Sequence, residues 1–290
     1  MTDRNQPDYE GRIGRAKYLA TRYPFAAEVL NFYQQLASFQ KTIYFEMARA
    51  SGNRSNGSQR DPLRSELDCV LLMTHFPRLL SFLERAGPEP IAEAARQLSS
   101  QEVSAWATGL AHFWRVEGRG RHWAEDGHGQ PFGVSGVESP ETLKEFILRA
   151  FLQPQVEFLA QSVPPPSVDG RPRHCPRCDS APLLGVLRPE GDGGKRSLVC
   201  SFCLCEWDFR RIFCPVCGEE AENKLPVYVA DQWPHIRIET CDTCKSYLRT
   251  IDLTKNGRAI PIVDDLAAIP LSLWAEERGY SRIQPNLLGT

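Results

Sequence analysis

Four Cys-x-x-Cys pairs in the second half of the chain constrain its fold more than any other feature of the sequence. The pairs are Cys175/Cys178, Cys200/Cys203, Cys214/Cys217 and Cys241/Cys244. Two residues between cysteines form a tight turn that presents both sulfurs to one ion, so each pair supplies half of a tetrahedral site. A hairpin that brings two such turns together completes the four ligands. The spacing therefore predicts two metal sites, each with four thiolates.

The order of the pairs favours a sequential arrangement of these two sites. Slightly more than twenty residues separate Cys178 from Cys200, and a similar gap separates Cys217 from Cys241. Both gaps are a little longer than the usual ribbon spacing of about 15–20 residues, and each holds two β-type runs and a turn. Pairs one and two are expected to share the first ion, and pairs three and four the second, as in a duplicated ribbon or rubredoxin-like module. A cross-brace, in which alternate pairs share an ion, is the alternative.

The ligand set limits what the two sites can do. Tetrahedral coordination by sulfur alone suits both zinc and a single rubredoxin-type iron, so the ligands do not determine which metal is bound. Four sulfurs close the coordination shell and leave no position for a substrate or an activated water. The ions are expected to hold structure or to pass an electron, and we predict that the protein is not an enzyme. Cys205 is interpreted as a bystander whose side chain points away from the site.

Cysteine usage and the N-terminal residues favour a reducing compartment. Eight of the ten cysteines fall in the four pairs, and a chain of 290 residues with 42% apolar composition can bury a core without disulfides. Residues 1–6 are polar, and the sequence has no apolar run that resembles a signal peptide or a membrane span. We therefore expect a cytoplasmic protein without membrane insertion.

Charge argues against a nucleic-acid partner. The formal net charge is −2, and basic and acidic residues are nearly balanced over the cysteine-rich region, 171–250. Thiolates add negative charge that a metal ion only partly cancels, so a phosphate-binding surface is not favoured. Two alternatives nevertheless stay open besides a protein-binding role. They are a nucleic-acid-binding zinc ribbon and an electron-transfer protein that uses rubredoxin-type iron.

The first part of the chain, residues 1–163, has the periodicity of a helical domain. Apolar residues recur at helical spacing after Pro24 and predict a helix with one face in the core. Ser99 and Glu102 have the spacing of a capping box ahead of a further helix over 100–116. The stripe on the first of these helices consists of Val29, Phe32, Tyr33, Leu36, Phe39, Ile43 and Met47.

The pattern of apolar residues changes after a proline-rich segment at 164–172, which is predicted to be an extended linker. Beyond it, short β-type runs alternate with turn residues. We therefore predict an α+β protein in which a mainly helical N-terminal domain precedes two tandem rubredoxin-like or zinc-ribbon modules, at 173–212 and 213–255, and a short helical tail at 256–290. The β-type runs lie at 183–187, 197–199, 227–229 and 236–238.

Several stretches around the cysteine pairs match one known pattern. Residues 241–248 read CysAspThrCysLysSerTyrLeu, residues 264–267 read AspAspLeuAla, and residues 273–280 read LeuTrpAlaGluGluArgGlyTyr. The stretch that joins the second and third pairs contributes Arg196, Ser197, Leu198, Val199, Cys200, Cys203, Glu206, Trp207, Arg210 and Cys214. With these residues the chain resembles the family of bacterial formate dehydrogenase accessory proteins. The resemblance covers most of 170–290, whereas the helical half agrees only in its general texture.

That resemblance implies a cytoplasmic maturation factor without catalytic turnover of its own. It implies action on the molybdenum-containing catalytic subunit of a respiratory formate dehydrogenase before export. It also implies that the eight paired cysteines bind iron in two mononuclear rubredoxin-like sites, with zinc as the alternative occupant. Asp264 and Asp265 match an acidic pair of the family and are predicted to be exposed. They are interpreted either as charges at a helix N-terminus, where the helix dipole favours them, or as contacts to the partner.

Overall fold

Helices precede a β-sheet in this chain, so the architecture is α+β, as the sequence predicts. The computed structural model describes residues 7–51, 69–117, 140–161, 172–191 and 193–289. Most of the predicted linker, 164–172, lies outside these ranges. Among the helices that the described ranges contain, none combines the length and the apolar character needed to cross a membrane.

The described N-terminal part consists of helices that pack around a shared apolar core. Helix α2 begins after a short 3-10 turn at Pro24–Ala26 and carries the predicted stripe. Phe32, Leu36 and Ile43 are buried in the core, and Phe39 and Met47 pack against it, which confirms the prediction for these five residues. The helices are α1 Tyr9–Arg22, α2 Ala27–Ser51, α3 Cys69–Ala86, α4 Glu89–Ser99, α5 Val103–Glu117 and α6 Pro140–Gln161.

The junction between α4 and α5 differs from the predicted capping box. Ser99 is the last residue of α4, and its hydroxyl donates a hydrogen bond to the carboxylate of Glu84 on α3. The carbonyl of Glu102 accepts the first backbone hydrogen bonds of α5, from Ala105 and Trp106. The predicted start of α5 was therefore wrong. The sequence pattern assigned the Ser99 hydroxyl to the cap of α5, whereas α3 packs against α4 and Glu84 of α3 accepts the hydrogen bond from that hydroxyl.

The strands form one sheet within the described residues. Its order is β3-β2-β1-β6-β5-β4, and β7 pairs with β6 outside this path. All four predicted β-type runs lie in strands. The strands are β1 Pro182–Glu190, β2 Gly193–Cys200, β3 Glu206–Asp208, β4 Val227–Val229, β5 Ile236–Thr240, β6 Ser246–Asp252 and β7 Ser281–Arg282.

A parallel pairing between β1 and β6 joins the two cysteine-rich segments. Gly185 lies opposite Thr250, and Leu187 lies opposite Asp252. Because β1 precedes the third cysteine pair and β6 follows the fourth, this pairing makes one sheet from strands of both segments. Gly185 permits the close approach, since a Cβ atom at this position would lie 2.3 Å from Oγ1 of Thr250.

The C-terminal residues pack between the sheet and the first two helices. Helices α7 Pro261–Ala267 and α8 Ile269–Glu276 follow β6 and precede β7. Their apolar side chains share a buried cluster with α1, α2, β5 and β6, so the C-terminal segment is part of the core. Representative members of this cluster are Leu19, Leu30, Tyr33, Ile236, Ile251, Val263 and Leu266.

We predict that Gly185→Ala lowers the free energy of unfolding by about 1–3 kcal/mol, because the added methyl group overpacks the β1–β6 contact. Urea unfolding of the metal-loaded protein measures the effect. Gly257→Ala is the matched control, since a Cβ atom there meets only the Leu253 carbonyl oxygen, at 3.9 Å. Adding Thr250→Ala to Gly185→Ala should restore stability, because it removes the atoms that clash. An unchanged midpoint for Gly185→Ala would contradict the assigned close contact.

Candidate metal centres

The four cysteine turns share one backbone hydrogen-bond pattern. The N–H of the first cysteine in each turn donates to the carbonyl oxygen of the residue five positions later. The donor and acceptor pairs, each at 2.9 Å, are Cys175 and Ser180, Cys200 and Cys205, Cys214 and Glu219, and Cys241 and Ser246. This bond closes the turn and places the two intervening residues at its tip. Both sulfurs of a pair therefore face the same side.

A residue in the left-handed backbone region follows the second cysteine of every turn. The φ angles are 61° at Asp179, 56° at Leu204, 81° at Gly218 and 56° at Lys245. This region is sterically unfavourable for side chains with a Cβ atom, and glycine occupies it at one of the four positions. The repetition of the same unfavourable angle shows that the turn geometry, rather than local preference, dictates the backbone at these sites.

The first group of sulfurs comes from the first and second pairs. The Sγ atoms of Cys175, Cys178, Cys200 and Cys203 all lie within 4.8 Å of one another. Cys175 and Cys203 are 3.5 Å apart at Sγ, and Cys178 and Cys200 are 3.3 Å apart. A metal–sulfur bond of about 2.3 Å gives tetrahedron edges of about 3.8 Å, whereas a disulfide has sulfurs about 2.05 Å apart. The spacing therefore fits a ligand set around one ion and not a pair of bridges.

The second group has the same construction from the third and fourth pairs. Cys214 and Cys244 are 3.7 Å apart at Sγ, and Cys217 and Cys241 are 3.6 Å apart. Again all four sulfurs lie within 4.8 Å of one another. The structure thus has the sequential arrangement of pairs and not the cross-brace. Each group can hold one metal ion.

In both groups, the four sulfurs need a bound cation if all of them are to be deprotonated. Burial raises the pKa of the Cys200 and Cys203 thiols well above the usual value. A hydrogen bond with Cys175 holds the pKa of Cys178 well below that value, and one with Cys214 lowers the pKa of Cys244 to about 4. Without a cation, each group therefore shares protons between thiols and thiolates. A divalent or trivalent ion is what allows four neighbouring sulfurs to be deprotonated together.

The two groups differ in their exposure. All four cysteines of the first group are buried, and they belong to the same apolar core as helices α2 to α6. Phe202, at the tip of the second turn, packs against Phe113 of α5 with ring centroids 6.2 Å apart. In the second group Cys217 is exposed and Cys244 is partly exposed. The first site therefore lies inside the molecule, and the second lies at its surface.

Cys205 lies beside the first group without belonging to its quartet. It is buried, and its carbonyl oxygen closes the second turn. Its sulfur is not among the four that lie together, which agrees with the interpretation of Cys205 as a bystander. Burial is the main cause of the raised pKa of Cys203, and the neighbouring Cys205 adds to it.

Asp264 is fully buried, which corrects the prediction of an exposed acidic pair. Its carboxylate accepts hydrogen bonds from Arg15 of α1 and from the backbone N–H of Ile260, both at 2.9 Å. A ring nitrogen of His235 lies 2.9 Å from the same carboxylate. The bond from Ile260 agrees with the interpretation as a charge at a helix N-terminus, because it ties the carboxylate to the start of α7. The expected exposure was wrong because α1 packs over this segment.

Asp265 is also fully buried and lies between two arginines. It forms ion pairs with Arg249 of β6 and Arg282 of β7, each at 2.8 Å, and accepts a hydrogen bond from Asn286 at 2.8 Å. Burial by itself would raise the pKa of Asp265, but the charges of the two arginines hold it below the usual value. A buried carboxylate engaged in this way is not available for direct contact with a partner.

Sequence reasoning missed the partners of these two carboxylates. Arg249 lies in the middle of strand β6, which is buried along most of its length, and a charged side chain in such a strand indicates a buried ion pair. That signal was present in the sequence. Arg15 is separated from Asp264 by most of the chain, and no local pattern connects them.

Comparisons with known proteins agree with this geometry. The family model "FdhE, central domain" matches residues 174–211, and "FdhE, C-terminal domain" matches residues 212–288. An FdhE homologue from Aquifex aeolicus is 27% identical over 98% of this chain and 96% of its own length. An FdhE homologue from Pseudomonas aeruginosa is 39% identical over 39% of this chain and 38% of its own length. The crystal structure of FdhE from Pseudomonas aeruginosa is similar with a TM-score of 0.66 and 26% identity, covering 98% of this chain and 96% of that one.

We predict that Cys203→Ser and Cys217→Ser each reduce the bound metal from two ions to one per chain. Elemental analysis of purified protein measures the content. Cys203→Ser should lower the melting temperature more, because a structural site contributes on the order of 10 kcal/mol to folding and the first group is part of the core. Cys205→Ser is the control and should retain two ions. Two ions in Cys203→Ser, or one in Cys205→Ser, would disprove the assigned ligand set.

We predict that Asp265→Asn lowers the free energy of unfolding at neutral pH by about 3–5 kcal/mol, because it leaves two buried arginines without their counter-ion. The folded-state pKa of Asp265 is lowered. Its stabilising contribution is therefore present above the unfolded carboxyl pKa of about 3.9 and is lost as pH falls through the lower folded value.

Urea unfolding at pH 7 and below pH 4 tests this pH dependence. The difference between wild type and Asp265→Asn should narrow at the lower pH. Asp231→Asn makes the same charge change at an exposed position and should leave stability within about 0.5 kcal/mol of wild type. A constant difference at both pH values would argue against the assigned ion pairs.

Proposed function

Because the chain belongs to the FdhE family of formate dehydrogenase accessory proteins, we propose that it docks on the catalytic subunit of a respiratory formate dehydrogenase while that subunit matures. The observation that carries this proposal is similarity to FdhE along nearly the whole chain, together with two sulfur quartets at tetrahedral spacing. In this role the protein binds its partner and its metal ions and converts no substrate of its own.

Closed coordination shells support the accessory role. Each quartet supplies four sulfurs to one ion, so an ion held there has no open position for a substrate. The buried first ion stabilises the junction between helices and sheet. The second ion holds the surface turns that begin at Cys214 and Cys241 in one orientation. Such turns make a rigid surface for protein recognition.

We propose iron as the bound metal, in two mononuclear sites. Paired turns with backbone N–H groups directed at sulfur support a rubredoxin-like site. The N–H groups of Phe202 and Cys203 lie 3.3 and 3.4 Å from Sγ of Cys200 and stabilise its negative charge. Zinc is the alternative occupant, because a sulfur tetrahedron also suits it. Iron gives a coloured protein that bleaches reversibly on one-electron reduction, and zinc gives a colourless one.

A cytoplasmic location belongs to the same proposal. The nine cysteines from Cys175 to Cys244 are all free, and the distances within the two groups exclude bridges there. Free thiols at metal-binding distance are typical of a reducing compartment. Action on a catalytic subunit before its export requires this location.

Electron transfer is the second candidate function, and the exposed Cys217 favours it. An iron ion in the second group would lie close to the surface, within reach of a redox partner. Reversible one-electron bleaching at an accessible potential would support this function. Protein that carries only zinc would eliminate it.

Affinity purification tests the proposed docking. The tagged chain is produced without added zinc in a bacterium that makes a respiratory formate dehydrogenase, and in a strain that lacks its catalytic subunit. We expect the subunit to be recovered from the first strain, and formate dehydrogenase activity to fall when the gene for the accessory protein is deleted. Cys205→Ser serves as a control that retains both metal sites. Failure to recover the subunit under reducing and under oxidising conditions would contradict the proposal.

A further inference from the structure

One position recurs in all four cysteine turns, two residues after the second cysteine. In chain order it is held by Ser180, Cys205, Glu219 and Ser246. Its carbonyl oxygen accepts the 2.9 Å hydrogen bond that closes each turn, from the N–H of the first cysteine. This bond fixes the backbone of the position, so the turn also determines how close its side chain lies to the ligand sulfurs. The residue type at this position can therefore change the surroundings of a sulfur without changing the ligands.

In the first turn, this position brings a hydroxyl to a ligand sulfur. Oγ of Ser180 lies 3.4 Å from Sγ of Cys178, and the two atoms form a hydrogen bond. Both residues are buried in the interior of the protein. A hydroxyl can donate or accept, but a sulfur that binds a metal ion is a thiolate without a proton. With an ion in the first group, the Ser180 hydroxyl is therefore the donor.

The fourth turn repeats this arrangement in the second group. The side chain and the backbone N–H of Ser246 both hydrogen-bond with the Cys244 thiol. Ser246 is the first residue of β6 and lies opposite Ser281 of β7, so the sheet holds its backbone in place. Each group thus has a serine hydroxyl on one of its ligands, although the two groups differ in exposure.

The third turn shows that closure of the turn does not require a hydroxyl at this position. Glu219 occupies it, and the same backbone bond forms at the same distance. The carboxylate of Glu219 accepts hydrogen bonds from the N–H groups of Glu220 and Ala221, each at 3.0 Å, and from the Thr243 hydroxyl at 2.6 Å. A carboxylate cannot donate to a thiolate, whereas the two serines can. The serines therefore have a role toward the sulfurs that the fold of the turn does not explain.

Hydrogen bonds to the sulfurs have the largest effect where water is excluded. In the first group, Sγ of Cys200 receives the N–H groups of Phe202 and Cys203, at 3.3 and 3.4 Å. Ser180 adds a donor on the other turn, so both turns of this group carry a donor to a ligand sulfur. Such bonds are stronger in a buried site than in water. Groups that hydrogen-bond to metal ligands tune the affinity and the reduction potential of the ion that those ligands hold.

We propose that Ser180 and Ser246 are positioning residues for the two metal ions. Each hydroxyl donates a hydrogen bond to one ligand sulfur, that of Cys178 in the first group and that of Cys244 in the second. The bond stabilises negative charge on the sulfur, and this favours both the bound ion and the lower oxidation state of iron. The inference rests on the metal binding that the proposed function includes.

Cobalt(II), which sulfur ligands bind as they bind other divalent ions, tests Ser180 on the full chain. Cys217→Ser serves as the background, so that only the first group is filled. In this background, Ser180→Ala should weaken cobalt binding about tenfold in a competition titration with a chelator. It should also move the sulfur-to-cobalt charge-transfer band to longer wavelength, because the donor sulfur loses a stabilising bond. Ser180→Thr keeps the hydroxyl and should restore the affinity and the band.

Ser201→Ala is the matched control for this experiment. Ser201 is buried like Ser180 and lies at the tip of the second turn, where its hydroxyl bonds to no cysteine sulfur within the described residues. This variant should leave the charge-transfer band in place. A serine that only stabilised its turn would change the melting temperature but not the band of the loaded protein. The unchanged band in Ser180→Ala would therefore overturn the proposal for the first group.

Redox titration of the iron-loaded chain tests both serines with all eight ligands intact. Ser246→Ala should move one of the two one-electron steps to a lower potential, because the lost bond stabilised the more negative, reduced site. Ser180→Ala should move the other step in the same direction. If both steps stay in place in both variants, the proposal is wrong while the assigned ligands stand. If the wild type binds neither cobalt nor iron, the proposed metal binding is wrong, and this inference is wrong with it.

Discussion

The buried sulfur quartet of the first cysteine group is the constraint on which the rest of the structure depends. Its four cysteines lie in the same core as helices α2 to α6, and Phe202 at the tip of its second turn contacts α5. Several thiolates inside a core carry a large desolvation cost unless a cation compensates them. Metal binding at this site is therefore coupled to the packing of helices on sheet. The first of its turns leads into β1 and the second follows β2, so the two turns position the centre of the sheet.

A second set of buried charges joins the two ends of the chain. Asp264 pairs with Arg15 near the N-terminus, and Asp265 pairs with Arg249 in the sheet and Arg282 near the C-terminus. Each ion pair replaces hydration that the charges lose on burial, and removal of one partner leaves the other uncompensated. These contacts orient α1 and α7 on one face of the sheet. A cavity on the opposite face of the sheet is lined by Leu248 of β6 and Arg237 of β5. Side chains alternate between the two faces along a strand, so Leu248 points away from the face that carries Arg249, and Arg237 points away from the face that carries Ile238.

The two metal centres are suited to different tasks although their turns are alike. An ion in the first group would be enclosed by protein, and its effect would be on folding. An ion in the second would lie at the surface beside Cys217, close to the cavity lined by Cys214 and Cys241. This arrangement separates a centre that stabilises the fold from one next to a surface open to a partner. It also gives a physical reason for keeping both ligand sets in one chain.

Local signals in the sequence determined the cysteine turns, the strands beside them and the apolar stripe of α2. Each depends on spacing over a few residues: two residues between cysteines, alternation in a strand, and 3.6 residues per helical turn. Only the tertiary structure decided the β1–β6 pairing, the burial of Asp264 and Asp265, and the backbone conformation at Leu204. The first two depend on contacts between distant segments, for which the sequence carries no fixed spacing, as in the pair of Arg15 with Asp264. The third depends on closure of the cysteine turn, which imposes a positive φ angle that leucine does not favour by itself.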